Sequence, residues 1–267
     1  MKKAKVKRTI RIALSLVLLV ALAAGGLFWN KYLNKNSLLG KYETPKAQDV
    51  YILGTLHKNH FNRWLNYSMA DILSVVETVQ PDVVFIEARE AYFKDYGVID
   101  GPIDMAVVYS YCIDQDIPVE LIDWWVVDNS FKSNTTSDKR DDQIVGNIAD
   151  KLETIKADTT ILVVCGSGHF YEQAERFQNN GFKKQKIKNK AAYFDNQNKA
   201  FEYPTSVEKI WEQRAYFYAY TFPEIIEQDQ SLDDEVKAEF TEGDHDAYYE
   251  QQLNYNTLFS NNALYKS

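Results

Sequence analysis

The chain has 267 residues, enough for one substantial domain with added segments, and its 45% hydrophobic content predicts a packed core. The formal net charge of -8 is unevenly distributed, because residues 1–12 hold six of the 30 basic residues and none of the 38 acidic ones. The remaining chain is therefore acidic, which argues against a nucleic-acid partner, since phosphate binding needs clustered Lys and Arg. We interpret the Lys-rich run Lys183–Lys188 as a solvated edge strand.

A run of apolar and small residues, Ile12–Trp29, follows the basic N-terminal tip. Its 18 residues approach the roughly 20 that cross a bilayer as a helix, and the basic flank favours a cytoplasmic N-terminus. The alternative is a signal peptide cleaved after Ala21-Leu22-Ala23. We favour an uncleaved anchor, because apolar residues continue to Trp29. The sequence therefore predicts a single-pass protein of the cell membrane, with its C-terminal domain outside the cytoplasm.

Composition divides the chain into four segments. They are the basic tip and anchor (residues 1–29), a polar spacer (30–47), an α/β domain (48–203) and a helical, aromatic-rich extension packed on that domain (204–267). In the extension, Thr205 and Glu208 match a capping box that would open a helix to Tyr220. The two cysteines, Cys112 and Cys165, have apolar neighbours and are interpreted as buried thiols.

Apolar runs and helical spacing alternate through the α/β segment. Runs bounded by turn residues predict strands at Val50–Gly54, Val83–Ile86, Pro118–Ile122 and Ile161–Cys165. Spacing of apolar residues predicts helices at Trp64–Gln80, Asp104–Gln115, Arg140–Ile155 and His169–Asn179, with a polar loop at Asn129–Lys139. This alternation predicts an α/β fold with a largely parallel central sheet flanked by helices, behind the N-terminal transmembrane helix.

Each predicted strand ends beside an ionisable side chain. The four residues are His57, Glu87, Asp123 and His169. Because parallel strands end at one edge, where α/β proteins bind ligands, we expect these four groups at one rim. The two histidines also close matching Gly-x-x-His sequences, which begin at Gly54 and Gly166. His60 is interpreted as a surface residue at the start of a helix.

Imidazole and carboxylate groups at such a rim suit two kinds of chemistry. His57, Glu87 and His169 are candidate ligands of a divalent metal ion (Zn, Mn or Co) with an open position for water. Without a metal, the same groups could act as general acid and base. Ser167 is not in a nucleophile elbow, because Cys165 replaces the first glycine of that motif. Backbone N–H groups at a helix start could instead bind a carboxylate or an oxyanion. The candidate substrate-binding residues are Gly54, Gly166, Ser167, Gly168 and Asp123.

These motifs, in this order, resemble the TraB/PrgY/Tiki/GumN superfamily, which is related to the erythromycin esterases and the ChaN-like proteins. The resemblance covers about residues 48–180 and is carried by Gly54-Thr55-Leu56-His57, Glu87, Arg140-Asp141 and Gly166-Ser167-Gly168-His169. It implies a paired Gly-x-x-His site with an acidic partner. Tiki-like members imply divalent-metal-dependent peptide hydrolysis outside the membrane, PrgY-like members imply inactivation or sequestration of a peptide signal, and ChaN-like members imply haem binding. The Glu that esterase-type members carry beside their first His is missing here, which argues against macrolide hydrolysis.

Two functional hypotheses follow. The first is a membrane-anchored extracytoplasmic hydrolase that cleaves short peptides with metal assistance, in which Arg140 clamps a substrate carboxylate or a developing oxyanion. The second is a binding protein without turnover, which sequesters a peptide signal or a tetrapyrrole such as haem in the same cleft. A third, plainer interpretation is a surface domain whose histidines are structural.

Overall fold

The computed structural model describes residues 17–30, 34–134, 138–195 and 202–261, and it has a mixed α/β fold with a six-stranded sheet flanked by helices. The strands are β1 (Leu39–Glu43), β2 (Asp49–Thr55), β3 (Val83–Ile86), β4 (Val119–Leu121), β5 (Thr160–Gly166) and β6 (Lys183–Gln185). Their order across the sheet is β4-β3-β5-β2-β1-β6. Strands β4, β3, β5 and β2 run parallel, whereas β1 is antiparallel to both β2 and β6. The sheet is therefore parallel in its main part and antiparallel at one edge.

Strand β5 lies inside the parallel region because its side chains are apolar on both faces. Residues 161–165 are at most 1% exposed. The register pairs Gly166 with Thr55 of β2, and Val164 with Ile86 of β3, so these three strands end close together at one rim. Cys112 and Cys165 are both buried free thiols, as the sequence predicted.

The spacer interpretation of residues 30–47 is wrong for residues 39–43, which form β1. Leu39 and Tyr42 are at most 1% exposed, and Tyr42 packs edge-on against Phe177 with ring centroids 5.4 Å apart. The strand is short and carries polar residues between its buried side chains, so it lacks the long apolar run that marks the central strands. The prediction of an edge strand in the Lys-rich run is confirmed by β6.

Six helices of the described chain belong to the α/β region: α1 (Met69–Val79), α2 (Glu90–Tyr96), α3 (Ile103–Asp114), α4 (Phe131–Asn134), α5 (Asp138–Thr154) and α6 (Ser167–Asn179). The helix predicted from Trp64 begins five residues later, at Met69. Ser68 and Asp71 determine this start, because each side chain accepts a hydrogen bond from the other residue's backbone N–H.

Two further helical segments differ from the sequence prediction. Helix α2 was not predicted at all, and it exposes most of one face. Helix α4 and the start of α5 occupy described parts of the 129–139 segment that was interpreted as a loop. Asp138 and Asp141 lie in the first turn of α5, where the positive end of the helix dipole stabilises negatively charged side chains.

The C-terminal segment is helical. It contains α7 (Val207–Tyr216), a π-helical turn (Phe217–Thr221), α8 (Phe222–Gln228), α9 (Asp234–Thr241) and α10 (His245–Asn261). The predicted capping box at Thr205 does not form, because the Thr205 N–H and hydroxyl both donate to the carboxylate of Asp114. Ile210 and Trp211 of α7 belong to the same apolar core as the sheet. The extension is thus packed on the α/β part.

Residues 17–28 are helical, and apolar side chains such as Leu19 and Phe28 are more than half exposed. Within the described ranges, no helix is both long and apolar enough to cross a membrane. Residues 12–16 of the predicted anchor lie outside those ranges, so the anchor stays a prediction.

Candidate active site

The structure brings His57, Glu87, Arg140 and His169 together at the rim where β2, β3 and β5 end. Glu87 is at the centre and only 4% of its side chain is exposed. Arg140 donates from Nη2 to Glu87 Oε1 at 3.0 Å, and His169 Nε2 lies 3.5 Å from the same oxygen. The second oxygen, Oε2, accepts the backbone N–H of Gly166 at 2.6 Å. Both oxygens of Glu87 therefore already have protein partners.

His57 is held from behind by a carboxylate that the sequence analysis did not select. Its Nδ1 lies 3.3 Å from both oxygens of Asp104, the second residue of α3, which is fully buried. Burial by itself lowers the pKa of His57, but the Asp104 charge outweighs it and raises the pKa from 6.5 to about 9. The same ion pair, again against burial, lowers the pKa of Asp104 to about 2. The pair is charged at neutral pH, and 38% of the His57 side chain remains exposed.

The backbone of His57 is held in an unusual conformation. Its φ angle is +53°, in the left-handed region, at the first residue of a 3₁₀ helix (His57–Phe61). This conformation costs a residue with a Cβ on the order of 1–2 kcal/mol, and such strain concentrates at functional positions. The turn after β2 therefore holds the His57 ring at the rim at an energetic cost.

His169 has a similar carboxylate partner. Its Nδ1 lies 2.8 Å from Asp141 Oδ1, and Gln173 donates to the same oxygen at 2.9 Å. Burial lowers the pKa of His169, but the hydrogen bond to Asp141 and the Glu87 charge outweigh burial and raise the pKa above 6.5. In both histidines, then, Nδ1 faces a buried carboxylate, and a hydrogen bond of this kind fixes the orientation of the ring.

Gly166 allows His57 and Glu87 to approach each other. A Cβ atom at this position would lie 2.5 Å from His57 Nε2 and 3.3 Å from Glu87 Oε2. The first distance is a clash with a ring that Asp104 holds in place. Glycine is thus required here by the close approach of two site residues, not by its own backbone angles, which are extended at φ -58°.

Arg140 and Asp123 form a second ion pair beside Glu87. The Arg140 Nε and Nη2 groups donate to the two oxygens of Asp123 at 2.9 Å each, in the two-pronged geometry typical of Arg and carboxylate. Arg140 therefore bridges Asp123 and Glu87. Arg140 was predicted to bind a carboxylate or an oxyanion of the substrate. In the structure its Nε and Nη2 groups already donate to the protein's own carboxylates, those of Asp123 and Glu87.

The remaining glycine-rich positions have other surroundings. Gly54 is buried in β2, where a Cβ would lie 3.0 Å from both Leu38 and Phe170, so its role in the structure is packing. Ser167 and Gly168 are the first residues of α6, and Gly168 is exposed, so that a Cβ added there would have no neighbour within 4 Å. The N–H of Gly166, predicted to bind a substrate anion, binds Glu87 instead.

The surface interpretation of His60 is wrong. Its side chain is buried, its Nε2 accepts the Leu56 N–H at 2.7 Å, and its Nδ1 donates to the Tyr67 carbonyl at 2.9 Å. Burial lowers the pKa of His60, which agrees with a neutral ring that accepts at one nitrogen and donates at the other. His60 therefore supports the turn that carries His57.

A cavity of about 250 Å³ opens in front of His57 and Glu87. Its lining includes Arg214 and Tyr218 from the C-terminal extension, beside Asp123 and Arg140. Sequence reasoning did not select these two residues or Asp104 as site residues, and it assigned Asp141 no role, although the motif Arg140-Asp141 contains it. A usable signal existed only for the carboxylates, because Asp104 lies in an otherwise apolar helix and Asp141 follows Arg140 directly.

The charge immediately around Glu87 and the two histidines favours cations. Four carboxylates lie there, those of Glu87, Asp104, Asp123 and Asp141, against the guanidinium of Arg140, so neutral imidazoles would leave a local excess of negative charge. Protons on the histidines reduce this excess, and a divalent cation would do the same. Among the described residues, no group of three or more His, Cys, Asp or Glu side chains is arranged to hold a metal ion.

The donor types nevertheless fit the predicted metal. Both imidazoles offer Nε2, since Nδ1 faces a carboxylate in each, and ligating histidines usually have such a partner. Glu87 would be the oxygen donor, and Arg140 would then have to release Oε1. Comparisons with protein-family models, with curated proteins and with solved structures return no match. The superfamily resemblance therefore stays a prediction.

Proposed function

We propose that the chain is a hydrolase that cleaves a carbonyl bond, such as the amide of a short peptide, in the cavity at the sheet rim. One observation carries this proposal: two imidazoles, each backed by a buried carboxylate, lie at one central glutamate beside a cavity. Paired, oppositely perturbed ionisable groups in a cleft are typical of catalytic sites. Structural histidines such as His60 differ, because both of their ring nitrogens bond to backbone groups.

His57 supplies the acid–base chemistry in this proposal. Asp104 accepts the Nδ1 proton and so leaves Nε2 as the nitrogen that exchanges a proton with substrate or water. Neutral His57 takes a proton from the water that attacks the carbonyl carbon. The resulting protonated ring stabilises the oxyanion and then donates that proton to the leaving nitrogen as the C–N bond breaks. Since the pKa of His57 is about 9, kcat/KM for a step that needs the neutral ring rises with pH up to about that value.

In the metal-dependent form of this proposal, His57, Glu87 and His169 would be the protein ligands of a divalent metal ion, and His57 Nε2 would bind the ion instead of exchanging protons. Such an ion would lower the pKa of a bound water and polarise the substrate carbonyl. Because a ligating imidazole must be neutral, metal affinity increases with pH, by about tenfold per pH unit for each proton released, until the histidines are deprotonated.

The cleft is long enough for more than one residue of a peptide. A second cavity of about 660 Å³ shares Arg89, Asp123 and Trp125 with the first, so the two cavities adjoin at these side chains. The larger cavity has the size of typical small-ligand sites, roughly 300–1,000 Å³. Of the described histidines, only His57 lines either cavity, so a tetrapyrrole bound here would have a single candidate axial ligand.

The proposed location is outside the cytoplasm, on an N-terminal membrane anchor. The supporting observations are the apolar run Ile12–Trp29 and the six basic residues before it. Mass spectrometry of protein extracted from membranes should find the N-terminal segment intact. A mature N-terminus at Ala24 would instead identify a secreted protein.

The activity test uses the full-length chain and a mixture of acetylated tripeptides. Cleavage is followed by mass spectrometry after chelation and after addition of Zn²⁺, Mn²⁺ or Co²⁺, and bound metal is measured by elemental analysis. His57→Gln and His169→Gln, whose amides can still donate to Asp104 and Asp141, should abolish turnover and leave the melting temperature within a few degrees of wild type. His245→Gln is the matched control, because His245 lies in α10 and bonds to the Thr241 carbonyl outside the cavity.

The outcomes separate the hypotheses. Turnover that survives in both folded variants would exclude a catalytic role for the paired histidines. Melting temperatures far below that of wild type would support the structural interpretation. The binding hypothesis is supported by the occupied state of Glu87, whose two oxygens already have partners, and it predicts tripeptide binding without cleavage under every metal condition.

A further inference from the structure

The C-terminal extension contributes one arginine, Arg214, to the lining of the cavity at His57, and some of its N–H groups have no hydrogen-bond acceptor among the described residues. Arg214 of α7 donates from Nε to the carbonyl oxygens of Asp100 and Gly101, at 3.1 and 2.6 Å. Its two terminal amino groups make no hydrogen bond with any described residue. The guanidinium lies against the rings of Trp211 and Tyr218, each 4.6 Å from the ring centroid. The side chain is thus fixed by its Nε and its flat faces, while its outer edge stays open.

Arg214 is tied closely to the proposed reacting groups. The carbonyl oxygen that accepts its shorter hydrogen bond belongs to Gly101, and a Cβ at Gly101 would lie only 2.3 Å from the backbone oxygen of Glu87. Residue 101 therefore has to be glycine for the chain around it to pack against the backbone of Glu87, directly after β3. One residue separates the Arg214 guanidinium from the backbone of the central glutamate.

The other charges that line the cavity are paired. Arg89 donates to Asp100, and Arg140 donates to Asp123 and Glu87. Three arginines and three carboxylates line the cavity, and the seventh charged group, His57, pairs with Asp104 behind it, so the pairing leaves only the guanidinium of Arg214 without a carboxylate. Arg214 therefore presents an unneutralised, preorganised fork of N–H donors in the cavity that His57 also lines. Arginine in this geometry matches the two oxygens of a carboxylate.

We infer that Arg214 binds a carboxylate of the substrate, and that the favoured peptides carry a free C-terminal carboxylate next to the bond at His57. This inference rests on the proposed hydrolase function, which it deepens by naming the substrate class. The first cavity, at about 250 Å³, is small, so we place only the C-terminal residue of the peptide in it, with its carboxylate at Arg214. The rest of the peptide extends into the neighbouring cavity beyond Trp125.

Binding is measured independently of turnover. Wild-type full-length chain is titrated with two mixtures of acetylated tripeptides, one with free C-terminal carboxylates and one with C-terminal amides, and binding is followed by calorimetry. We expect the free acids to bind about 10- to 100-fold more tightly, which is the usual range for hydrogen bonds to a charged group. Arg214→Gln should reduce this ratio to about one. Lys209→Gln, on the exposed face of the same helix, should leave it unchanged.

Arg214→Lys keeps the charge without the two-pronged geometry and should show an intermediate ratio. Melting temperatures establish that each variant is folded, and the comparison of acids with amides on wild type needs no variant. If acids bind no better than amides, or if neither mixture binds, the inference is wrong. Free acids that bind tightly through Arg214 without being cleaved would support the inference and count against the hydrolase. Cleavage with equal preference for acids and amides would support the hydrolase and overturn the inference.

Discussion

Replacing Asp104 by Asn should change the pKa of His57 more than any other property of the site. The variant keeps the shape of the side chain and removes the charge that raises the His57 pKa to about 9. Burial, which lowers the pKa of His57, is then opposed only by weaker charges. We expect the pKa to fall toward or below its ordinary value of 6.5. Titration of the four histidine Cε1–H signals by NMR, with His57→Gln to assign the signal, measures the shift directly.

The same substitution has a defined effect on stability. In the folded protein the pKa of His57 is about 9, above its value of 6.5 in the unfolded chain. The ion pair of protonated His57 therefore contributes fully to the free energy of unfolding below about pH 6.5, and this contribution is lost as the pH rises to about 9. The folded pKa of Asp104 is lowered from 3.8 to about 2, so the same ion pair is lost on the acid side between those values. The Tm difference between wild type and Asp104→Asn should therefore be largest between about pH 4 and 6.5.

One pKa unit corresponds to about 1.4 kcal/mol, and we discount the His57 shift to about 1–2 kcal/mol because solvent screens its exposed part. For a chain of this size that free energy is about 2–8 °C in Tm. Asp100→Asn is the control, since it also removes a buried carboxylate, but its partner Arg89 does not titrate below pH 12. A His57 pKa that stays near 9 in Asp104→Asn, or a Tm difference that is constant from pH 5 to 9.5, would refute the assignment of this ion pair.

Two more substitutions test the geometry around His57. Gly166→Ala places a methyl group 2.5 Å from the His57 Nε2 position, so we expect at least a tenfold loss of peptide turnover, whereas Gly168→Ala, with open space around it, should keep wild-type turnover. Equal turnover in both variants would mean that the ring can move at little cost. His60→Gln removes a buried ring with two backbone partners, and denaturant titration should find it about 1–3 kcal/mol less stable, with the Arg214-dependent binding of tripeptide acids preserved at low temperature. A His60→Gln variant as stable as wild type would contradict its structural role.

Much of the fold could be predicted from the sequence because the signals are local. The strand Val83–Ile86 has the predicted bounds, and the central strand Thr160–Gly166 extends the prediction by one residue at each end. Long apolar runs bounded by turn residues determine such strands whatever their neighbours are. The matched positions of His57, Glu87 and His169 after three strands follow from the same regularity, since parallel strands with the observed register end at one edge.

Tertiary structure alone decided the partners of those residues. Strand β1 depends on pairing with β2 and on the contact of Tyr42 with Phe177, which lie far apart in the sequence. Asp104 becomes the partner of His57 only because α3 packs beside the end of β2, 47 positions away from it. Arg214 reaches the cavity from a helix more than 100 residues beyond Gly101. Local pattern determines which segments become strands and helices, but the charge state and the open donors of the site arise from contacts between distant segments, which no local pattern encodes.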